Sequence, residues 1–182
     1  MNNKTKQALL IVDVQRGVME RTINNDTVLK NINLLIGKAR GSSQPVIWVQ
    51  HASENLVRGS ARWEIVGELN RESEDILIEK EYNSSFEETT LEGILRDRGI
   101  NEIILTGAQT NWCIRATAYG ALERGFNLTL IRDGHTTEPE KLENGTSIDP
   151  KGIIDDLNVA MSWLRYPGRT CRTASAEEFQ FS

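Results

Sequence analysis

Cysteine and histidine are almost missing from this sequence, with two of each in 182 residues. Cys113 and Cys171 lie far apart and form no CxxC pair, so there is no disulfide framework. Such sparse cysteine use fits a reducing cytoplasm. His51 and His135 show no HxxxH or HExxH spacing, which argues against a protein-built metal site. The GxxxxGK and GxGxxG loops that cradle phosphates are also absent. No apolar run approaches the roughly 18 residues that a membrane span requires. Asp13 interrupts the short apolar segment of MNNKTKQALLIVDV, which therefore does not read as a signal peptide. Basic runs are lacking, and the net charge is -5. Nucleic acid and anionic membranes are accordingly poor partners for this chain.

An apolar content of 38% and a charged content of 26% describe an ordinary folded chain. Its length suits one domain over residues 1–182, large enough to bury a core without staples. The continuous apolar run QALLIVDV, residues 7–14, has the pattern of a buried parallel strand ending in a carboxylate. VLKNINLLIGKAR carries helical spacing up to Gly41, with Asp26 as the expected cap. Beyond Pro45, VIWVQH reads as a second buried strand. Residues 52–75 are polar and mixed, with a short helix expected around ARWEIVGEL. ILIEK, residues 76–80, is a third strand. A helix over TTLEGILRDRG, the strand INEIILTG, a helix over 111–124 and the strand FNLTLIRDG follow. PKGIIDDLNVAMSWL is a later helix, and RTCRTASAEEF supplies an edge strand that gives Cys171 a structural place.

This alternation predicts an α/β fold of three layers, α/β/α, with a mostly parallel central sheet. In such sheets ligands bind outside the carboxyl ends of the strands. Asp13, His51, Lys80 and the turn leading to Cys113 all fall at or just past strand ends. One rim would then receive a carboxylate, an imidazole, an ammonium and a thiol.

Each of these residues also has a plainer reading. Asp13 is either a turn residue or a general base tuned by burial. Lys80 is a solvated lysine or the partner of that carboxylate; Glu79 and Glu81, by strand alternation, point away from it. Cys113 is a small core hydrophobe or a nucleophile whose thiolate is favoured by a helix N-terminus and a nearby lysine. His51 is a hydrogen-bonded rim residue or a ligand. Trp63, Phe86, Trp112 and Tyr119 line a pocket or fill the core.

Three stretches carry a family resemblance: LLIVDVQ, the lysine of IEKEYNSSF, and TGAQTNWCIRATAYGALERGFNLTLIRDGHTT. With Asp, Lys and Cys in that order, the chain resembles the isochorismatase-like cysteine hydrolases over residues 7–181. That superfamily includes nicotinamidases, N-carbamoylsarcosine amidohydrolases and streptothricin-type hydrolases. The resemblance implies a catalytic triad of Asp13, Lys80 and Cys113. It also implies a cis peptide between Ala108 and Gln109, which would aim the Gln109 and Cys113 amides at an oxyanion. Gln15, His51, Trp63, Phe86 and Trp112 are the residues expected to bind the substrate. The metal-holding Asp-x-His pair of nicotinamidases has no counterpart in VIWVQHASENLVRGSARWEI, so no metal or other cofactor is expected. QHASENLVRGSARWEI is most similar to the streptothricin-hydrolase-like branch, although that branch often carries a histidine pair where this chain reads IIDDLN. The presence of the cysteine argues against vinyl-ether hydrolysis.

The activity these residues imply is cleavage of a C–N bond in a small amide, lactam or carbamoyl compound, through a thioester on Cys113. The family is usually oligomeric, so a homo-dimer or tetramer is expected. Two rival readings remain at this level: a metal-assisted amidase using His51, and a non-catalytic small-molecule binder on the same fold.

Overall fold

A computed structural model describes residues 6–182. The elements run β1 (Gln7–Val12), α1 (Arg16–Met19), α2 (Asn25–Gly41), β2 (Val46–His51), β3 (Ile76–Lys80), α3 (Leu91–Asp97) and β4 (Glu102–Ala108). A π-helical turn, Thr110–Ile114, leads into α4 (Arg115–Glu123). Then come β5 (Asn127–Thr136), β6 (Glu140–Lys141), β7 (Ser147–Ile148), α5 (Pro150–Trp163) and β8 (Cys171–Ala174). Six strands form the central sheet in the order β3-β2-β1-β4-β5-β8, and each neighbouring pair is parallel. β6 and β7 make a separate small antiparallel pair. Every residue of β1 and of β4 is buried, which is why both read as unbroken apolar runs.

Helices cover both faces. On one, Leu91 and Leu95 of α3, Ala118 and Leu122 of α4, and Leu157 and Met161 of α5 pack on Leu10, Val12 and Leu105. On the other, Val28, Ile32, Leu35 and Ile36 of α2 pack on Leu9, Ile11 and Trp48, joined by Phe179 from the C-terminal segment. Pro150 in the first turn of α5 and Asp149 before it, whose carboxylate accepts from the Gly152 N–H at 3.3 Å, fix where that helix starts.

The strand order reverses between β1 and β4, so the crevice belongs at their carboxyl ends. There Gly107 pairs with Val12. Its φ is 122°, and a Cβ at that position would sit 2.0 Å from the Val12 carbonyl oxygen. Only glycine lets the two strands approach this closely.

Three local expectations differ from the structure. ARWEIVGEL is not a helix. Its backbone is committed to the segment after β1, with Arg16 N–H donating to Glu64 O, Gly17 N–H to Arg62 O and Val66 N–H to Val14 O. Tertiary pairing there overrides helical periodicity. The expected helix over 111–124 opens as the π-turn, because the Gln109 carbonyl accepts from both Trp112 N–H and Ile114 N–H. Asp26 lies in the first turn of α2 rather than capping it; Asn24 holds the cap position in a left-handed conformation.

Candidate active site

Asp13 follows β1 with φ of 52°, a left-handed conformation that Asp tolerates better than most residues. Lys80 ends β3. Cys113 lies in the turn after β4, just beyond a cis Ala108–Gln109 peptide. These three positions come from separate strands, and the sheet brings them together. Lys80 Nζ is 2.7 Å from Asp13 Oδ2 and 3.2 Å from Cys113 Sγ. It also lies 3.2 Å from His51 Nδ1 and donates to the Tyr82 carbonyl at 3.0 Å. The lysine side chain is fully buried, so the solvated surface reading is excluded. Glu79 and Glu81 point outward, where both pair with Arg58.

Four acceptors thus surround an ammonium with three protons. His51 Nδ1, Tyr82 O and Cys113 Sγ take hydrogen bonds, and the Asp13 carboxylate contributes charge without a hydrogen bond of regular geometry among the described residues. A buried carboxylate with spare acceptor capacity stands beside a buried thiol. Burial first, and then the Asp13 charge, push the Cys113 thiol well above its ordinary range; Lys80 acts in the opposite sense and loses. The helix N-terminus and the lysine, expected to favour the thiolate, are outweighed by this enclosure. The Asp13–Lys80 pair is already neutral, and a second anion at the same buried point would have no cation to balance it.

A cavity of about 280 Å³ opens at this point. Asp13, His51, Gln109, Trp112 and Cys113 line it, together with Leu56, Arg62 and Asn83. Three of the expected substrate-binding residues lie elsewhere. Phe86 is core: it stacks on Phe126 with ring centroids 6.0 Å apart, and the Arg124 guanidinium lies over the Phe86 ring at 5.0 Å from its centroid. Gln15 is fully buried and works as a clamp. Its Nε2 donates to the His51 and Trp63 carbonyls at 2.9 and 2.7 Å, and its Oε1 accepts from the His51 N–H at 2.8 Å. Trp63 presents its carbonyl to Gln15 and Gln50 and does not line the cavity. Tyr119 packs half-buried against the core.

An isochorismatase domain model matches residues 7–146. The chain belongs to the isochorismatase family. The isochorismatase family protein YrdC of Bacillus subtilis is 31% identical over 158 residues, covering 81% of this chain and 83% of that protein. A streptothricin hydrolase of Streptomyces noursei is 30% identical over 72% of this chain and 54% of its own length. The fold is shared with a cysteine hydrolase from Pseudomonas syringae pv. phaseolicola, with a TM-score of 0.87 at 18% identity over 95% of this chain and 90% of that one. The protein is therefore an isochorismatase-family hydrolase.

Within this isochorismatase-family site, Asp13, His51 and Cys113 are the one group of three metal-ligand types among the described residues, with one ligand atom from each lying within 4.8 Å of the others. Their donor set does not fit a resident metal. The Lys80 ammonium is already in contact with all three residues, at 2.7 to 3.2 Å. A divalent ion there would have to expel a fully buried cation.

The turn that carries Cys113 is held from behind by a residue given no role in the sequence analysis. His135 on β5 is buried; its Nδ1 meets Thr110 Oγ1 at 2.9 Å and its Nε2 meets Asn158 Oδ1 on α5 at 3.1 Å. Burial lowers its pKa to about 4, so the ring is neutral. It donates to Asn158 from Nε2 and accepts the threonine hydroxyl at Nδ1. Ser53, Asn55, Asn83 and Arg62 also line the cavity unforeseen. The rule that placed Lys80 could have found Asn83, which follows the end of β3; Arg62 arrives through the pairing that replaced the expected helix.

Proposed function

We propose that this protein is a cysteine hydrolase that cleaves a C–N bond in a small amide, lactam or carbamoyl compound. The observation that carries the reading is the buried Lys80 ammonium in contact with both Asp13 and Cys113 at the floor of the cavity. In the first step Cys113 Sγ attacks the carbonyl carbon while Asp13 takes the thiol proton. Lys80 stays charged and offsets the negative charge that moves between carboxylate and sulfur. The oxyanion is received by the Gln109 and Cys113 backbone amides. On collapse the C–N bond breaks, and Asp13 returns the proton to the departing nitrogen, which leaves as ammonia or an amine. Water then adds to the thioester and gives a proton to Asp13. The C–S bond breaks, the acid leaves, and the thiol recovers its proton from Asp13.

The raised thiol pKa supports this sequence, because it keeps the proton on sulfur until a substrate arrives. Family relatives named for C–N hydrolysis, among them nicotinamidase 3 of Arabidopsis thaliana and maleamate amidohydrolase of Pseudomonas putida, support the bond type. The cavity volume of about 280 Å³ supports a compact substrate, lying at the small end of ligand pockets. His51 and Trp112 line it and are the expected substrate contacts. In this reading residues 1–182 act as one domain, in the cytoplasm, as a homo-dimer or tetramer.

The test is an ammonia-release screen over small amides, ureas and lactams, with Cys113→Ala as the blank. Turnover by the wild type that disappears in the variant, with a Cys113 acyl adduct seen by mass spectrometry on a slow substrate, is the expected result. Full activity in Cys113→Ala sinks the proposal.

A further inference from the structure

We infer that His51 is locked by Lys80 into the tautomer with hydrogen on Nε2, and that it offers this N–H to the cavity as the donor for a hydrogen-bond acceptor on the substrate. The role of the cavity as a substrate site rests on the reading of Cys113 as nucleophile; the tautomer itself does not.

The argument starts from the lysine. An ammonium has only donors, so a ring nitrogen 3.2 Å from Lys80 Nζ must accept. That fixes the lone pair on Nδ1 and, for a neutral ring, the hydrogen on Nε2. The acceptor that competes for an Nδ1 hydrogen is the Tyr82 carbonyl, which also takes a Lys80 proton at 3.0 Å; a hydrogen on Nδ1 would lie against the ammonium only 3.2 Å away. The ring is neutral for two reasons: partial burial and the neighbouring Lys80 charge both lower its pKa, outweighing the opposite pull of Asp13, Glu81 and the Tyr82 carbonyl.

The backbone holds the ring in place. His51 is the last residue of β2, pairs with Lys80 across the sheet, and has its N–H and carbonyl both taken by the Gln15 side chain. Nδ1 is therefore committed. Nε2 makes no hydrogen bond of regular geometry among the described residues, yet it is not among their sealed, unsatisfied atoms, and the residue lines the cavity beside Cys113. A donor with a fixed position and no partner of its own is suited to orient a carbonyl or ring-nitrogen acceptor. His51 thus turns the lysine's charge into a directed neutral donor one step further into the pocket.

Two histidines make the test direct. In protein labelled with ¹⁵N at histidine, long-range ¹H–¹⁵N spectra near pH 7.5 should give His51 as the Nε2–H tautomer, with a mixed pattern appearing in Lys80→Met. An Nδ1–H ring in the wild type overturns the inference, whether or not any amide is turned over. For the donor role the probe is iodoacetamide, which brings a primary amide to Cys113, compared with methyl methanethiosulfonate, which brings none. His51→Asn keeps an acceptor towards Lys80, while its shorter amide does not bring an N–H to the position of the histidine Nε2. It should slow alkylation by iodoacetamide about three- to tenfold, the range that one neutral hydrogen bond supplies, and move the other reagent less than about twofold. Equal changes with both reagents, or no change with either, overturn the donor role. Neither outcome bears on whether Cys113 is the nucleophile, which the ammonia-release screen decides separately.

Discussion

Replacing Lys80 by methionine keeps the length of the side chain and removes its charge, leaving the Asp13 carboxylate buried without a counter-ion. Lys80 is fully buried and Asp13 is 2% exposed, so water cannot take the lysine's place without opening the site. Breaking a buried pair from one side typically costs about 3–5 kcal/mol, because the remaining charge is left uncompensated. The Tyr82 carbonyl and His51 Nδ1 lose their donor as well. The assay is urea unfolding at pH 7, where a loss of that size moves the midpoint by roughly 2 M at an ordinary slope. The decisive comparison adds Asp13→Asn, which suits the left-handed backbone there. Asp13→Asn alone strands the lysine and should also destabilise. Asp13→Asn with Lys80→Met removes both charges, and it should recover about 2 kcal/mol or more relative to the sum of the single losses. Activity should stay lost in all three variants, so stability returns and catalysis does not. A Lys80→Met protein within about 1 kcal/mol of the wild type, or a double variant that is simply additive, would refute the reasoning.

His135 provides a pH prediction. Its folded pKa of about 4 lies below the ordinary 6.5, so the unfolded chain binds the extra proton first. Stability from this group is fully present above about 6.5 and is lost as pH falls towards 4, at a total of about 3 kcal/mol. Unfolding measured between pH 7 and 4 should show that loss in the wild type and a flatter dependence in His135→Gln; equal slopes would dismiss the assignment. Phe86→Ala should cost about 3–5 kcal/mol, as for a large core residue, while leaving KM for the screened amide unchanged in the protein that remains folded. A raised KM with unchanged stability would return Phe86 to the pocket.

Much of this architecture could be read before folding because parallel sheets impose their own geometry. The runs around Asp13, Lys80 and Cys113 are strands by apolar continuity alone. Once the strands are parallel, their carboxyl ends must share one rim, which is how three residues remote in sequence were expected together. What stayed hidden depends on depth and on partners. Phe86 and Trp112 are both aromatic residues in segments following strands, and nothing in their neighbourhoods says that one packs on Phe126 while the other stays 48% exposed at the cavity. Gln15 looked like a substrate contact beside Asp13, yet its amide is used up by His51 and Trp63. The balance of influences on the Cys113 thiol was hidden for the same reason. Position at a helix start is visible in a sequence, but enclosure by the rest of the chain is not, and enclosure decides here.

The pairing of β1 with β4 has a consequence for how the protein comes to life. The bond from Thr106 Oγ1 to the Leu10 carbonyl spans 96 positions of the chain. Asp13, Lys80 and the ring of His51 all precede β4, so a nascent chain can carry the whole electrostatic half of the site while the thiol has yet to be synthesised. In the proposed mechanism catalysis waits for β4, the fourth strand made, to slot in beside β1. A chain cut short before β4 lacks Cys113 and is, in that mechanism, chemically silent however well its first three strands have formed.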